Sequence, residues 1–297
     1  MPSSRRRRRF RLARLGIASV LAAGLLMFAA APVPAAVTIG QVAPLTPSSE
    51  TSADTDRAQP SVTSGNSYVV PSTGGITAWT LVSWSHNAAA GAGQELTLKV
   101  YRKAADPFAY AAVGHDGPRS LTPNSLNTFT TSIEVRAGDV LGDNSKSPTD
   151  NASYFPVPGE SFLDLQPGLA DGQTGTFTLK ADGQRLNIAA VLEPTNTVSL
   201  GRITRNKKRG TATLEATVPN PGDLAVGGKG VKAARSGTAV TSRAVSGGPV
   251  KLTIRARGKK ERKLNETGKV KLNLAITYTP TGGVPNTAST KVKLRKR

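Results

Sequence analysis

The chain has 297 residues, a formal charge of +20, 30 glycines, 20 prolines, 14 aromatic side chains and no cysteine. The missing thiols exclude a disulfide framework, a thiolate nucleophile and any Cys-ligated zinc or iron–sulfur centre, and the scarce aromatics with abundant Gly and Pro favour short strands and turns over helices. The charge is unevenly spread: residues 1–36 carry seven arginines, residues 37–197 carry nine basic against 15 acidic groups (−6), and residues 198–297 carry 23 basic against four acidic groups (+19). This sign reversal, with a length beyond one hydrophobic core, predicts two domains after any export segment.

At the start, Arg5 to Arg9 with Arg11 and Arg14 form a positive region, and Leu15 to Ala31 an apolar run ending in small residues. The pattern predicts a secretory signal over residues 1–35, cut after Val33-Pro34-Ala35 so that the mature chain starts near Ala36. The arginine run also admits a twin-arginine register. An uncleaved run would be a membrane anchor, the one membrane contact expected, with the rest of the chain still outside.

Residues 36–194 read as the first domain. Thr46 to Gln59 is polar and aperiodic and reads as a loose lead-in. Strands are predicted at Tyr68–Val70, Ile76–Ser85, Glu95–Arg102, Ala109–Val113, Thr128–Val135, Ser161–Leu165, Thr174–Lys180 and Leu186–Leu192, between clusters of Gly, Pro, Asn and Asp. About eight strands without an intervening helix predict an antiparallel sandwich of jelly-roll type. ITAWTLVSWSH, LTLKVYR and the turn RAGDVLG resemble a β-sandwich domain found at the start of secreted bacterial proteins. Carbohydrate-binding modules and lectins use similar sandwiches, and this likeness implies a fold rather than a ligand.

Within that domain Trp79 and Trp84, five apart in one strand, should face opposite ways unless a bulge intervenes. One could then be core and the other a sugar-stacking surface, but core packing is the favoured reading for each. His86 and His115 are the only histidines and read as solvated loop residues, since no Gly-x-Ser-x-Gly elbow accompanies them. Asp139, Asp143, Asn144, Asp150 and Asn151 supply the hard oxygens that calcium takes, although their spacing matches no EF-hand and suits turns equally well. Calcium is the one cofactor this pattern admits. Asp164 and Asp171 could serve a glycosidase only across a cleft. No catalytic residue is assigned.

Glu193 to Thr197 reads as the boundary, with residues 195–197 as linker, because proline does not suit a central strand. Beyond it, residues 198–297 alternate regularly. Val250, Leu252 and Ile254 oppose Lys251, Thr253 and Arg255; Val270, Leu272, Leu274, Ile276 and Tyr278 oppose Lys269, Lys271, Asn273 and Thr277; Val292 and Leu294 oppose Lys291, Lys293 and Arg295. About seven such strands predict an immunoglobulin-like or fibronectin-III-like sandwich with a lysine-studded exterior. GTATLEATVPNPGDLAVGGKGVKAA and GPVKLTIRARGKKERKLNETGKVKLNLAITYTPTGGVPNTASTKVKLRKR resemble the C-terminal Ig-like module of secreted multidomain proteins of high-GC Gram-positive bacteria. The likeness implies that fold, a location outside the membrane and no transferable catalytic residue.

The basic exterior has three readings: a hold on an anionic polymer (teichoic acid, acidic polysaccharide or extracellular DNA), solubility and protection of sheet edges, or dedicated nucleic-acid recognition. The last is disfavoured, since Tyr278 is the sole aromatic of residues 198–297 and is predicted to point inward. The sequence therefore predicts a secreted, non-catalytic surface or matrix protein contacting polysaccharide or protein. Its binding candidates are Trp79, Trp84, Lys251, Arg255, Lys269, Lys271, Lys291, Lys293 and Arg295. The alternatives are a carbohydrate-active enzyme or a calcium-dependent lectin-like binder using Asp139, Asp143 and Asp150.

Overall fold

Short apolar runs punctuated by glycine and proline turns become antiparallel strands through most of the described residues. A computed structural model describes residues 36–44, 47, 54–146, 152–180, 183–231, 243–244 and 247–297, all within one compact unit. The expected signal segment lies outside these residues. The fold is all-β and consists of two sandwiches in succession.

The first sandwich contains β1 (Val37–Gln41), β2 (Thr55–Ala58), β3 (Ala78–Asn87), β4 (Glu95–Lys103), β5 (Ala109–Ser120), β6 (Leu126–Arg136), β7 (Val140–Ser145), β8 (Tyr154–Pro156), β9 (Phe162–Leu165), β10 (Thr174–Thr176), β11 (Thr178–Lys180), β12 (Gln184–Leu186) and β13 (Ile188–Pro194). One sheet runs β1-β13-β3-β6 and the other β10-β5-β4-β7-β2-β9-β11, while β8 and β12 form a separate ribbon. The pairings nest: β1 with β13, β2 with β7, β3 with β6 and β4 with β5. Nested antiparallel pairs wrapped into two facing sheets are a jelly roll. Trp79, Leu81, Trp84, Leu98, Val100, Leu141 and Ile188 pack between the sheets. The segment Thr174–Lys180 pairs with β5 before Phe177 and with β9 after it, so the longer sheet curls round a second small core of Tyr101, Tyr110, Leu163 and Phe177.

Several elements differ from the sequence reading. The supposed lead-in contains β2, which is buried along its length and lies between β7 and β9. Its charged side chains are hydrogen-bonded within the protein rather than solvated. Asp56 accepts from the Asn144 side chain and the Leu169 amide, and Arg57 Nη1 donates to Asp143, Ser145 and Ser153. The supposed aspartate loop contains β7, whereas Tyr68–Val70 contributes only a bridge between Val69 and Val140. Pro194 does sit in a strand that is central to its sheet. Pairing of β13 with β1 ends at Leu192, so the missing N–H of Pro194 costs no ladder bond on that side.

The second sandwich contains β14 (Ser199–Asn206), β15 (Thr211–Val218), β16 (Gly222–Gly227), β17 (Arg243–Ala244), β18 (Gly248–Ile254), α1 (Lys259–Thr267), β19 (Lys269–Pro280) and β20 (Asn286–Arg295). Sheets β14-β15-β18 and β17-β16-β19-β20 face one another, three strands against four, in an Ig-like arrangement. Leu214, Leu252, Leu272, Ile276, Tyr278, Val292 and Leu294 fill its core. The sequence reading placed strands alone in this half. Helix α1 arises because KKERKLNET is built of good helix formers and ends at Gly268, whose φ of 67° makes the left-handed cap. Its single buried side chain, Leu264, docks it on the sandwich.

Asn220, in the turn between β15 and β16, fastens the two sandwiches together. Its side chain accepts from the amides of Thr77 and Ala78 and donates to the carbonyls of Ala78 and Thr195, while Tyr278 donates to the Asn220 carbonyl. Thr195 is itself buried, and its amide donates to Ala78.

Candidate anion-binding face

Outward residues on an antiparallel pair stand opposite one another, so the register of β19 and β20 fixes which charges meet. Lys269 stands opposite Arg295, Lys271 opposite Lys293, and Asn273 opposite Lys291. Three successive rungs thus carry five cations and no acid. Like charges directly opposite each other destabilise a sheet, and Lys271 with Lys293 is such a pair.

Helix α1 raises one wall of this face. Lys260 and Lys263, one turn apart, join Lys269, Lys271 and Lys293 around a hollow of about 400 Å³. Lys260 Nζ donates to the Lys271 carbonyl at 3.4 Å, and its stem crosses Gly230, where an added Cβ would stand 2.3 Å from Lys260 Cγ. Farther along the same strands, a hollow of about 430 Å³ is bordered by Lys229, Asn273, Ala275, Ser289 and Lys291. Among the described residues no acidic side chain lines either hollow. Glu261 points to the other side of α1, where it shares a smaller hollow with Arg209, Arg255 and Lys296.

The structure therefore gathers Lys269, Lys271, Lys291, Lys293 and Arg295 on one face and sets the other two basic candidates apart. Lys251 lies on β18 opposite Glu215, in the other sheet, and Arg255 lies in the hollow with Glu261. Sequence reasoning missed Lys229, Lys260 and Lys263. The signal available for the last two was their three-residue spacing in a helix-forming stretch bounded by Gly258 and Gly268.

Core packing holds for both tryptophans, and the sugar-stacking reading is corrected. Register shifts between Leu81 and Ser83 on both sides of β3 insert Val82 as a bulge, so Trp79 and Trp84 share the inward face. They are 3% and 0% exposed, and neither offers a stacking surface. Trp79 Nε1 donates to the Pro71 carbonyl, and Trp84 Nε1 donates to Asp116 Oδ2 at 2.6 Å.

His86 is not a solvated loop residue, whereas His115 is solvent-exposed as expected but sits on a strand rather than in a loop. His86 is wholly buried on β3, its Nδ1 lies 2.7 Å from the Asn187 carbonyl, and burial pushes its pKa down to about 4. His115 lies on β5 with Nδ1 2.7 Å from Asp171 Oδ2.

The acidic candidates do not converge. Asp139 takes a two-pronged contact from Arg102 and a bond from the Arg136 amide. Asp143 is buried beside Arg57 with Oδ2 unpartnered, and desolvation, partly offset by Arg57, raises its pKa to about 7. Asp150 lies outside the described residues. Among the described residues no three His, Asp or Glu side chains are grouped as metal ligands. A cleft of about 650 Å³ where the sandwiches meet is bordered by Arg102, Glu134, Arg136, Thr195 and Pro219, and includes none of the residues selected from sequence. No family model, curated protein or solved structure matches the chain.

Proposed function

We propose that the chain is an exported, non-catalytic binding protein of two domains, residues 36–194 and 198–297 joined by 195–197, whose second domain holds an anionic polymer of the cell envelope. The observation that carries this reading is the acid-free run of rungs from Lys269–Arg295 to Asn273–Lys291, walled by Lys260 and Lys263. Solubility alone needs charge spread over a surface with both signs interspersed. It gives no reason to concentrate like charges in a concave site, where low-dielectric walls strengthen their field. The N-terminal arginine and apolar pattern supports export, and the resemblance to Ig-like modules of secreted bacterial proteins supports an extracellular setting.

The test is retention of the chain on immobilised anionic envelope glycan and on a neutral glycan at low salt, followed by a salt gradient. Retention by the anionic matrix alone, with release as salt rises, is expected. Equal retention by both matrices, or by neither, would contradict the reading.

A further inference from the structure

Resting on that reading, we infer that the five-lysine hollow is a site for a chain of phosphates, read by charge density rather than by shape. Among the described residues the five cations lining it are all lysines, and Arg295, opposite Lys269, stands outside the lining. Arginine's planar fork matches a carboxylate or a phosphate by shape, whereas lysine is a compact, rotatable point charge that meets an anion from any direction, so the spacing of charge along the polymer decides the fit. Outward residues on one strand stand about 6.7 Å apart and opposed residues about 5 Å apart, so the sheet presents a close lattice of charge. A polymer with one charge on every short repeat fills such a lattice, and a glycan with one carboxylate per pair of rings leaves most of it empty.

Two features mark the arrangement as costly to the free protein. Lys271 faces Lys293 directly, and Lys260 lies in the first turn of α1, where the helix dipole disfavours a cation. An extended ligand fits better than a compact one, since the face continues along β19 and β20 into the hollow beside Lys229 and Lys291. The ligand needs no bases: Tyr278 is the only aromatic of residues 198–297 and is fully buried, which leaves nothing for a base to stack on. Inorganic polyphosphate and a polyol-phosphate polymer share this chemistry.

The test displaces fluorescein-labelled polyphosphate from the full chain with unlabelled polyphosphate, polyglycerol phosphate, a carboxylated glycan or a single-stranded oligonucleotide at matched charge. The expected result is displacement by both phosphate polymers at least tenfold more effective than by the carboxylated glycan, with no advantage for the oligonucleotide. Preference for one phosphate polymer over the other identifies the source. Equal displacement by phosphates and carboxylates would overturn the phosphate assignment and leave the polyanion reading standing. Failure of polyphosphate and glycan alike to bind would remove both, and tighter binding of the oligonucleotide would make the ligand a nucleic acid.

The variant Lys271→Thr/Lys293→Thr should bind polyphosphate roughly 60-fold more weakly at 50 mM salt, about eightfold for each ammonium removed. Relief of the like-charge pair should also raise its melting temperature by about 2–4 °C. Unchanged binding by this variant and by Lys260→Ala would overturn the site.

Discussion

The side chain of Asn220 pairs with the backbone of Ala78 as a neighbouring strand would, its Oδ1 accepting from the Ala78 amide at 3.0 Å and its Nδ2 donating to the Ala78 carbonyl at 2.7 Å. One amide thus ties the second sandwich to β3, the tryptophan-bearing strand. Replacing Asn220 by Ala leaves the amides of Thr77 and Ala78 without that acceptor, at a cost of order 2–4 kcal/mol. Asn220→Ala should lower the melting temperature and open residues 195–197 to limited proteolysis, while the native chain, with Thr195 buried, resists cleavage there. Equal cleavage of the two proteins would show that the amide does not hold the junction.

Asp143 and His86 pull stability in opposite directions over one pH range. Asp143 keeps its proton up to about pH 7 in the folded chain but loses it near 3.8 when unfolded, so its contribution declines as pH rises between those values. Burial raises Asp56 as well, which acts in the same sense. His86 is protonated near 6.5 when unfolded but only near 4 when folded, so its contribution declines as pH falls through that interval. Urea midpoints at pH 7 and pH 5 should therefore diverge between variants. His86→Gln should gain stability on acidification, and Asp143→Asn should lose more than the native chain does. Parallel profiles for all three proteins would refute the assignment.

Burial of both tryptophans predicts emission that resists acrylamide quenching and does not change when glycans are added. Trp84→Ala should cost about 3–5 kcal/mol, the range for removing a large aromatic from a core, and Asp116 would lose its bond from Nε1. A glycan-dependent shift in tryptophan emission would reinstate the stacking surface that the bulge at Val82 removes.

Legibility in the sequence followed burial on one face. β19 and β20 were readable because one side of each strand meets the core and the other meets water, so Val, Leu and Ile alternate with Lys, Asn and Thr. β2 was not, because TDRA is buried on both faces and its charged side chains are hydrogen-bonded by residues far along the chain, Asp143 and Leu169 among them. The bulge in β3 left no trace, since Val82 extends an apolar run without breaking it. α1 rests on Leu264 alone, and a single buried residue makes no periodicity. The basic face was half legible for the same reasons: alternation exposed the lysines of β19 and β20, but strand pairing decided which of them meet, and the helix supplied the wall.

The most direct measurement is the salt dependence of polyphosphate affinity for the native chain and for a variant with Lys260, Lys263, Lys269, Lys271 and Lys293 replaced by Thr. If those five ammonium groups bind the polymer, log Kd plotted against log salt should lose about 3.5 units of slope in the variant, roughly 0.7 for each contact. Identical slopes in the two proteins would contradict the account, placing the attraction in the diffuse charge of residues 198–297 rather than at this site.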